Sequence, residues 1–243
     1  MSETELVILA FAAAATAAIT AVAGAGGGLI LLVPLLQFVD PLVAIPAHAV
    51  IQFVSNSTRA VTLRNKVEVP LLRWYVVPLL PAIGVGFLIA DSIPRDSGRA
   101  LIGVFALLAV WWPAATAWIV PRARGGKRFA LVGVLAGVSN PPIGAAGPLI
   151  APAFKAATKD HVAFVATFAV AQVMNHLAKI VVFGIAGFAF REHAQMVLVG
   201  VVGVIVGTWV GTKLLHRAEP AMLDWLFKGA VTLGAVRLIL SLM

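Results

Sequence analysis

Apolar runs about as long as a bilayer is thick constrain this chain more than any other feature. A membrane-crossing helix needs about 20 mostly apolar residues. Six stretches reach that length: 42–62, 69–90, 98–120, 160–184, 193–213 and 220–241. Polar breaks separate them at Arg64–Lys66, Asp91–Arg99, Arg122–Arg128, Arg191–His193 and Lys213–Pro220. Only 12% of the 243 residues are charged, against roughly 25% in a soluble domain. That composition excludes a water-soluble enzyme, a nucleic-acid-binding domain and a disordered chain. The net charge of +8 therefore reads as loop cations of a polytopic membrane protein, not as a nucleic-acid patch. The chain has no cysteine, so disulfide, thiolate and iron–sulfur chemistry are excluded too.

Two further apolar regions, 5–39 and 129–155, are interrupted. Gly24-Ala25-Gly26-Gly27-Gly28 breaks the first. Ser139-Asn140-Pro141-Pro142, through Gly144 to Gly147-Pro148, breaks the second. Glycine and proline runs stop helices. The pieces 129–139 and 143–155 are each too short to cross at about 1.5 Å per residue, so they read as half-helices meeting inside the membrane. Irregular backbone at that depth must be covered by protein or line a water-filled cavity. Close helix packing through small residues is the alternative reading. Two breaks at matching places favour a binding site. The first helix is expected to be retained: Ala21-Val22-Ala23 looks like a cleavage site, but Glu3 and Glu5 stand where a leader would be basic.

The two halves align. Pro34 matches Pro152 at an offset of 118, and Asp40, Gln52 and Arg59 match Asp160, Gln172 and Lys179 at 120. Ser55 then stands opposite Asn175, and Asn56 opposite His176. The expected fold is all-α: two inverted repeats, each a Gly/Pro-broken re-entrant segment followed by three transmembrane helices. The repeats cover 1–121 and 129–243, joined by a basic loop at 122–128. Inversion follows from charge. If the broken segments return to their starting side, Arg64, Lys66, Arg73, Arg122, Arg124, Lys127, Arg128, Lys155, Lys159, Lys213 and Arg217 share one side. Only Arg95, Arg99 and Arg191 face them, 11 against 3. If the broken segments cross fully, the count is 8 against 6. The positive-inside rule prefers the first arrangement. It puts the 122–128 loop in the cytoplasm and both termini outside the cell or inner membrane.

The span 42–62 carries His48, Gln52, Ser55, Asn56 and Arg59 at helical spacing, and the span 160–184 carries Gln172, Asn175, His176 and Lys179. Each set forms one stripe. Each has a glutamine near mid-span and a cation seven residues on, displaced by roughly 10 Å of helical rise. A cation inside a span is costly and marks a pathway by default, with snorkelling to the headgroups as the alternative. Half-helices starting after Gly28 and near Gly144 would aim their positive N-terminal ends at the centre. Candidate binding residues are therefore Gly26, Gly27, Gly28, Gln52, Ser55, Asn56 and Arg59 from the first half. From the second they are Ser139, Asn140, Gly144, Gln172, Asn175, His176 and Lys179. Two cations, free backbone N–H groups and no mid-span carboxylate make an anion site and disfavour a cation channel or carboxylate proton relay. His48 and His176 read first as hydrogen-bonding groups, and second as a proton or metal site. No catalytic constellation is recognisable, so no enzymatic activity, metal or cofactor is expected. The expected partners are a small anion and the lipid bilayer, not nucleic acid; a homo-oligomer is left open.

The run Gly24-Ala25-Gly26-Gly27-Gly28 followed by Pro34, with a weaker repeat from Gly144 to Pro152, resembles the TauE/SafE-type sulfite and organosulfonate transporter family. The resemblance covers essentially the whole chain. It departs from the pattern at Ala145, Ala146 and Pro148, where glycine-rich sequence is expected. It implies transport of a small sulfur-containing anion such as sulfite, sulfoacetate or another sulfonate. The residues alone indicate only the charge of the substrate. Export by alternating access is the leading expectation, with an anion pore or a purely structural membrane subunit as alternatives.

Overall fold

The computed structural model describes residues 1–112, 126–214 and 220–240, which form ten α-helices and no strand. In chain order these are α1 (Glu3–Ala23), α2 (Gly27–Phe38), α3 (Pro41–Thr62), α4 (Val69–Asp91), α5 (Arg95–Trp111), α6 (Phe129–Ile143), α7 (Gly147–Ala157), α8 (His161–Ile185), α9 (Ala194–Leu214) and α10 (Pro220–Leu240). Residues 113–120 of the expected span 98–120, residues 122–125 of the basic loop, Arg217 and residue 241 lie outside the described residues. Within the described residues, the six expected spans coincide with α3, α4, α5, α8, α9 and α10.

Local chemistry sets several helix starts. Ser2 and Glu5 close a capping box on α1. Asp40 accepts from the Leu42 N–H at 3.0 Å, and Asp160 from the Ala163 N–H at 2.7 Å, so matched aspartates cap α3 and α8. Among the described residues, four helical stretches are long and apolar enough to cross a membrane: Glu3–Ala23, Val69–Asp91, His161–Ile185 and Phe190–Leu214. α3 has 22 residues, but its polar stripe lowers its hydropathy. Val77, Leu88, Phe11 and Leu198 are exposed on the outer surface, as lipid-facing positions require.

One of the broken regions differs from expectation. In the first, α1 has 21 residues and α2, the short helix expected after the glycine run, has 12. In the second, the helix does not stop at Ser139–Pro142. α6 runs through to Ile143, and the break is confined to Gly144–Ala146. Pro141 and Pro142 lack the N–H groups that would bond the Gly137 and Val138 carbonyls four residues back. Those carbonyls instead face Gly86 of α4, where an added Cβ would meet both. A glycine at position 86 is what lets α4 come this close to the proline-bearing turn.

Small residues direct the packing elsewhere too. Gly203, Gly207 and Gly211 of α9 lie against the backbone of α1 at Ala10, Ala14 and Ala18. Gly133 and Gly137 of α6 lie against α4 at Tyr75 and Leu79. The pairs α1·α9 and α6·α4 are counterparts: each joins the first helix of one half to the fourth of the other. The same exchange relates α3·α9 to α8·α4, and α1·α10 to α6·α5. α3 packs on its own counterpart α8, and α5 on α10. α3 and α8 run antiparallel. At one end the Glu68 N–H, just past α3, donates to Thr167 Oγ1 near the start of α8 at 2.9 Å. Farther along, the rings of His48 and His176 meet edge to face, 5.6 Å between centroids. In the second broken region, Phe129 at the start of α6 packs on Phe154 near the end of α7 at 4.8 Å, so the end of α7 lies beside the start of α6.

Candidate functional site

Each break places a left-handed glycine where its first helix stops: Gly24 at φ 84° and Gly144 at φ 70°. Only glycine adopts this conformation without a steric penalty. The short helices that follow, α2 and α7, start without a side-chain cap. Their first N–H groups therefore have no partner from their own helix. Both starts open onto one small cavity.

The walls of that cavity follow the repeat. Thr20, Gly26, Gln52 and Asn56 line it from the first half. Their counterparts 120 residues on, Asn140, Ala146, Gln172 and His176, line it from the second. Gly28 and Pro148 form another matched pair. The cavity volume is about 20 Å³, on a scale where one water needs roughly 10–15 Å³. That is space for about one water. No Asp or Glu is among the described lining residues. Among the described residues no group of three His, Asp or Glu comes together to hold a metal.

The glutamines tie the stripes to the breaks. Gln52 Nε2 donates to the Gly27 carbonyl at 3.4 Å, and a Cβ on Gly147 would touch Gln172 Nε2. Asn56 Nδ2 donates to the Gln52 carbonyl at 2.7 Å and to Gln52 Oε1 at 3.4 Å. In α8, Asn175 Nδ2 donates to Gln172 Oε1 at 3.3 Å. His48 Nε2 bonds the Gly28 carbonyl at 2.8 Å. That carbonyl only accepts, so Nε2 carries the proton and Nδ1, buried and unpartnered, presents a lone pair.

The two cations are fully buried, so neither snorkels. Their surroundings differ. Lys179 Nζ donates to the Gly144 carbonyl at 2.7 Å and to Asn140 Oδ1 at 3.2 Å, fastening the end of α6 to α8. Arg59 donates once, from Nη1 to Asn56 Oδ1 at 3.2 Å, and its Nε and Nη2 have no partner. Neither cation lines the cavity itself; Asn56 and Asn140 stand between.

Of the residues singled out from sequence, Gly26, Gly28, Gln52, Asn56, Asn140, Gln172 and His176 line the cavity. Gly27, Asn175, Arg59 and Lys179 are one hydrogen bond behind it, and Gly144 accepts from Lys179. Ser55 is spent on Thr208 Oγ1 of α9 at 3.1 Å, and Ser139 on the Leu135 carbonyl of its own helix. Sequence reasoning missed Thr20 and Phe168 as wall residues. The 120-residue register would have found Thr20, because it stands opposite Asn140. Phe168 stands opposite His48 in that register, and its aromatic character gave no polar signal.

The sequence profile of the family described as "Sulfite exporter TauE/SafE" matches residues 8–238. No curated protein and no solved structure matches the chain. The profile spans both breaks, both stripes and nearly every described helix, and so the chain belongs to the sulfite exporter TauE/SafE family.

Proposed function

We propose that the chain is a multi-pass membrane transporter that moves a small sulfur-containing oxyanion, such as sulfite or a sulfonate, by alternating access. One observation carries this reading. Two uncapped helix N-termini and six residue pairs at the 120-residue spacing converge on a single cavity with no described carboxylate. Helix N-termini favour anions through their free N–H groups and dipoles. Membership of the family supplies the sulfur chemistry.

In this reading residues 1–121 and 129–243 are inverted halves, supported by the antiparallel α3 and α8. The 122–128 loop faces the cytoplasm, with both termini outside. Gln52, Asn56, Asn140, Gln172 and His176 replace part of the anion's hydration shell. Arg59 and Lys179 supply positive charge just behind the walls, on either side of the centre. The chain performs no covalent chemistry and needs no cofactor. An inside-negative potential is worth about 2.3 kcal/mol per charge per 100 mV, so anion export is electrically downhill. Rocking of one half against the other would open the cavity to each side in turn.

A continuously open anion pore is disfavoured by a cavity with space for about one water. Counterflow in proteoliposomes separates the two. Radiolabelled sulfite should enter faster into vesicles preloaded with unlabelled sulfite, and Arg59→Ala should abolish the flux. Flux without trans-stimulation establishes the pore. Absence of sulfite flux in the intact protein rejects both.

A further inference from the structure

Arg59 is fully buried, yet two of its three guanidinium nitrogens have no partner. The pair left open is Nε and Nη2. These form one edge of the planar group, with their N–H bonds side by side. Such an edge matches two oxygens carried by one atom, the geometry of paired, charge-assisted hydrogen bonds to an oxyanion. It has no comparable match for a single spherical ion.

The orientation of that edge is set from the cavity wall. Asn56 Oδ1 holds Nη1 at 3.2 Å, and Asn56 is itself held by the Gln52 carbonyl at 2.7 Å. Gln52 reaches on to the Gly27 carbonyl at the start of α2. A chain of three side chains therefore runs from the break to the guanidinium, and both Gln52 and Asn56 line the cavity. Asn56, a wall residue of the cavity, is thus the one hydrogen-bonding partner that Arg59 has among the described residues. The second half has no equivalent. Lys179 occupies the matched position and donates to the Gly144 carbonyl and Asn140 Oδ1.

Resting on the transporter reading, we propose that the Nε/Nη2 edge of Arg59 is a bidentate oxyanion subsite. It sets the preference for sulfite- and sulfonate-type groups over halides. Asn56 is its positioning residue, and Lys179 belongs to the scaffold of the second break. An Arg59→Lys change keeps the charge but replaces the fork with a point charge.

Calorimetric titration of the purified full-length protein with methanesulfonate, and with chloride in competition, tests this. The wild type should prefer methanesulfonate at least tenfold. Arg59→Lys should reduce that ratio at least fivefold, and Asn56→Ala should reduce it while keeping the arginine. If Arg59→Lys does not fold, judged by its melting transition, Asn56→Ala decides. An unchanged ratio in either folded variant overturns the subsite while leaving the transporter reading intact. Failure of the wild type to bind any sulfonate or sulfite overturns the transporter reading instead.

Discussion

The two breaks share a backbone plan and diverge in chemistry. Both end a long helix on a left-handed glycine, both start a short helix without a cap, and both sit against a glutamine of the following helix. The first has a second left-handed glycine, Gly26 at φ 95°, where the second has Ala146 at φ −73°. The first is backed by an arginine with an open edge, and the second by a lysine that bonds the break itself. The repeat thus conserves the scaffold that aims two helix ends at one point. It assigns holding to one cation and leaves the other unsatisfied.

The largest expected effect separates the two cations. Lys179→Met strands the Gly144 carbonyl and Asn140 Oδ1 in the interior. Hydrogen bonds to charged groups contribute about 1.5–3 kcal/mol each, so the loss of stability should reach roughly 3 kcal/mol. Arg59→Met removes a buried cation with two unpaired nitrogens and should leave the anion-free protein as stable as before, or more so. Denaturation in detergent without added anion measures both, and equal losses would erase the distinction.

Next come the packing glycines, where the halves should behave alike. Gly207→Ala in α9 would press on the Ala14 carbonyl, and Gly133→Ala in α6 on the Tyr75 carbonyl. Each should cost about 1–3 kcal/mol by overpacking. Gly84→Ala meets nothing and should gain about 0.5 kcal/mol from helix propensity. A difference between Gly207→Ala and Gly133→Ala larger than their common cost would break the equivalence of the two helix pairs.

The difference between the breaks themselves should be smaller. Gly26→Ala forces a side chain into the left-handed region, at about 1–2 kcal/mol. Ala146→Gly should cost under about 1 kcal/mol, all of it chain entropy. Thermal shifts of the pair compare them directly. Ser55→Ala frees Thr208 Oγ1 and should cost about 0.5–1 kcal/mol, with anion binding unchanged because Ser55 does not line the cavity.

Much of this was legible beforehand. Periodicity and apolar length located α3, α4, α8 and α9 because those signals are local. The 120-residue spacing of Asp40, Gln52 and Arg59 to their partners also relates many of the residues that line the cavity. Pro34 and Pro152, at 118, were a poorer guide: each lies inside its short helix rather than at the break. The passage of α6 through Pro141 and Pro142 was not legible, because the turn that contains them packs on Gly86, over 50 residues away in sequence. The contrast between Arg59 and Lys179 was hidden for a similar reason. Both read as intramembrane cations, and only tertiary partners distinguish a fastened amine from an open guanidinium.

The central claim is that an anion occupies the cavity between the breaks. The chain lacks cysteine, so a single Ala25→Cys change places one thiol in the cavity wall. Its rate of modification by a small anionic thiol reagent should fall severalfold in saturating methanesulfonate, which does not react with the reagent. The rate at Ala186→Cys, on the exposed end of α8, should not change. Equal rates at Ala25→Cys with and without methanesulfonate would contradict the account.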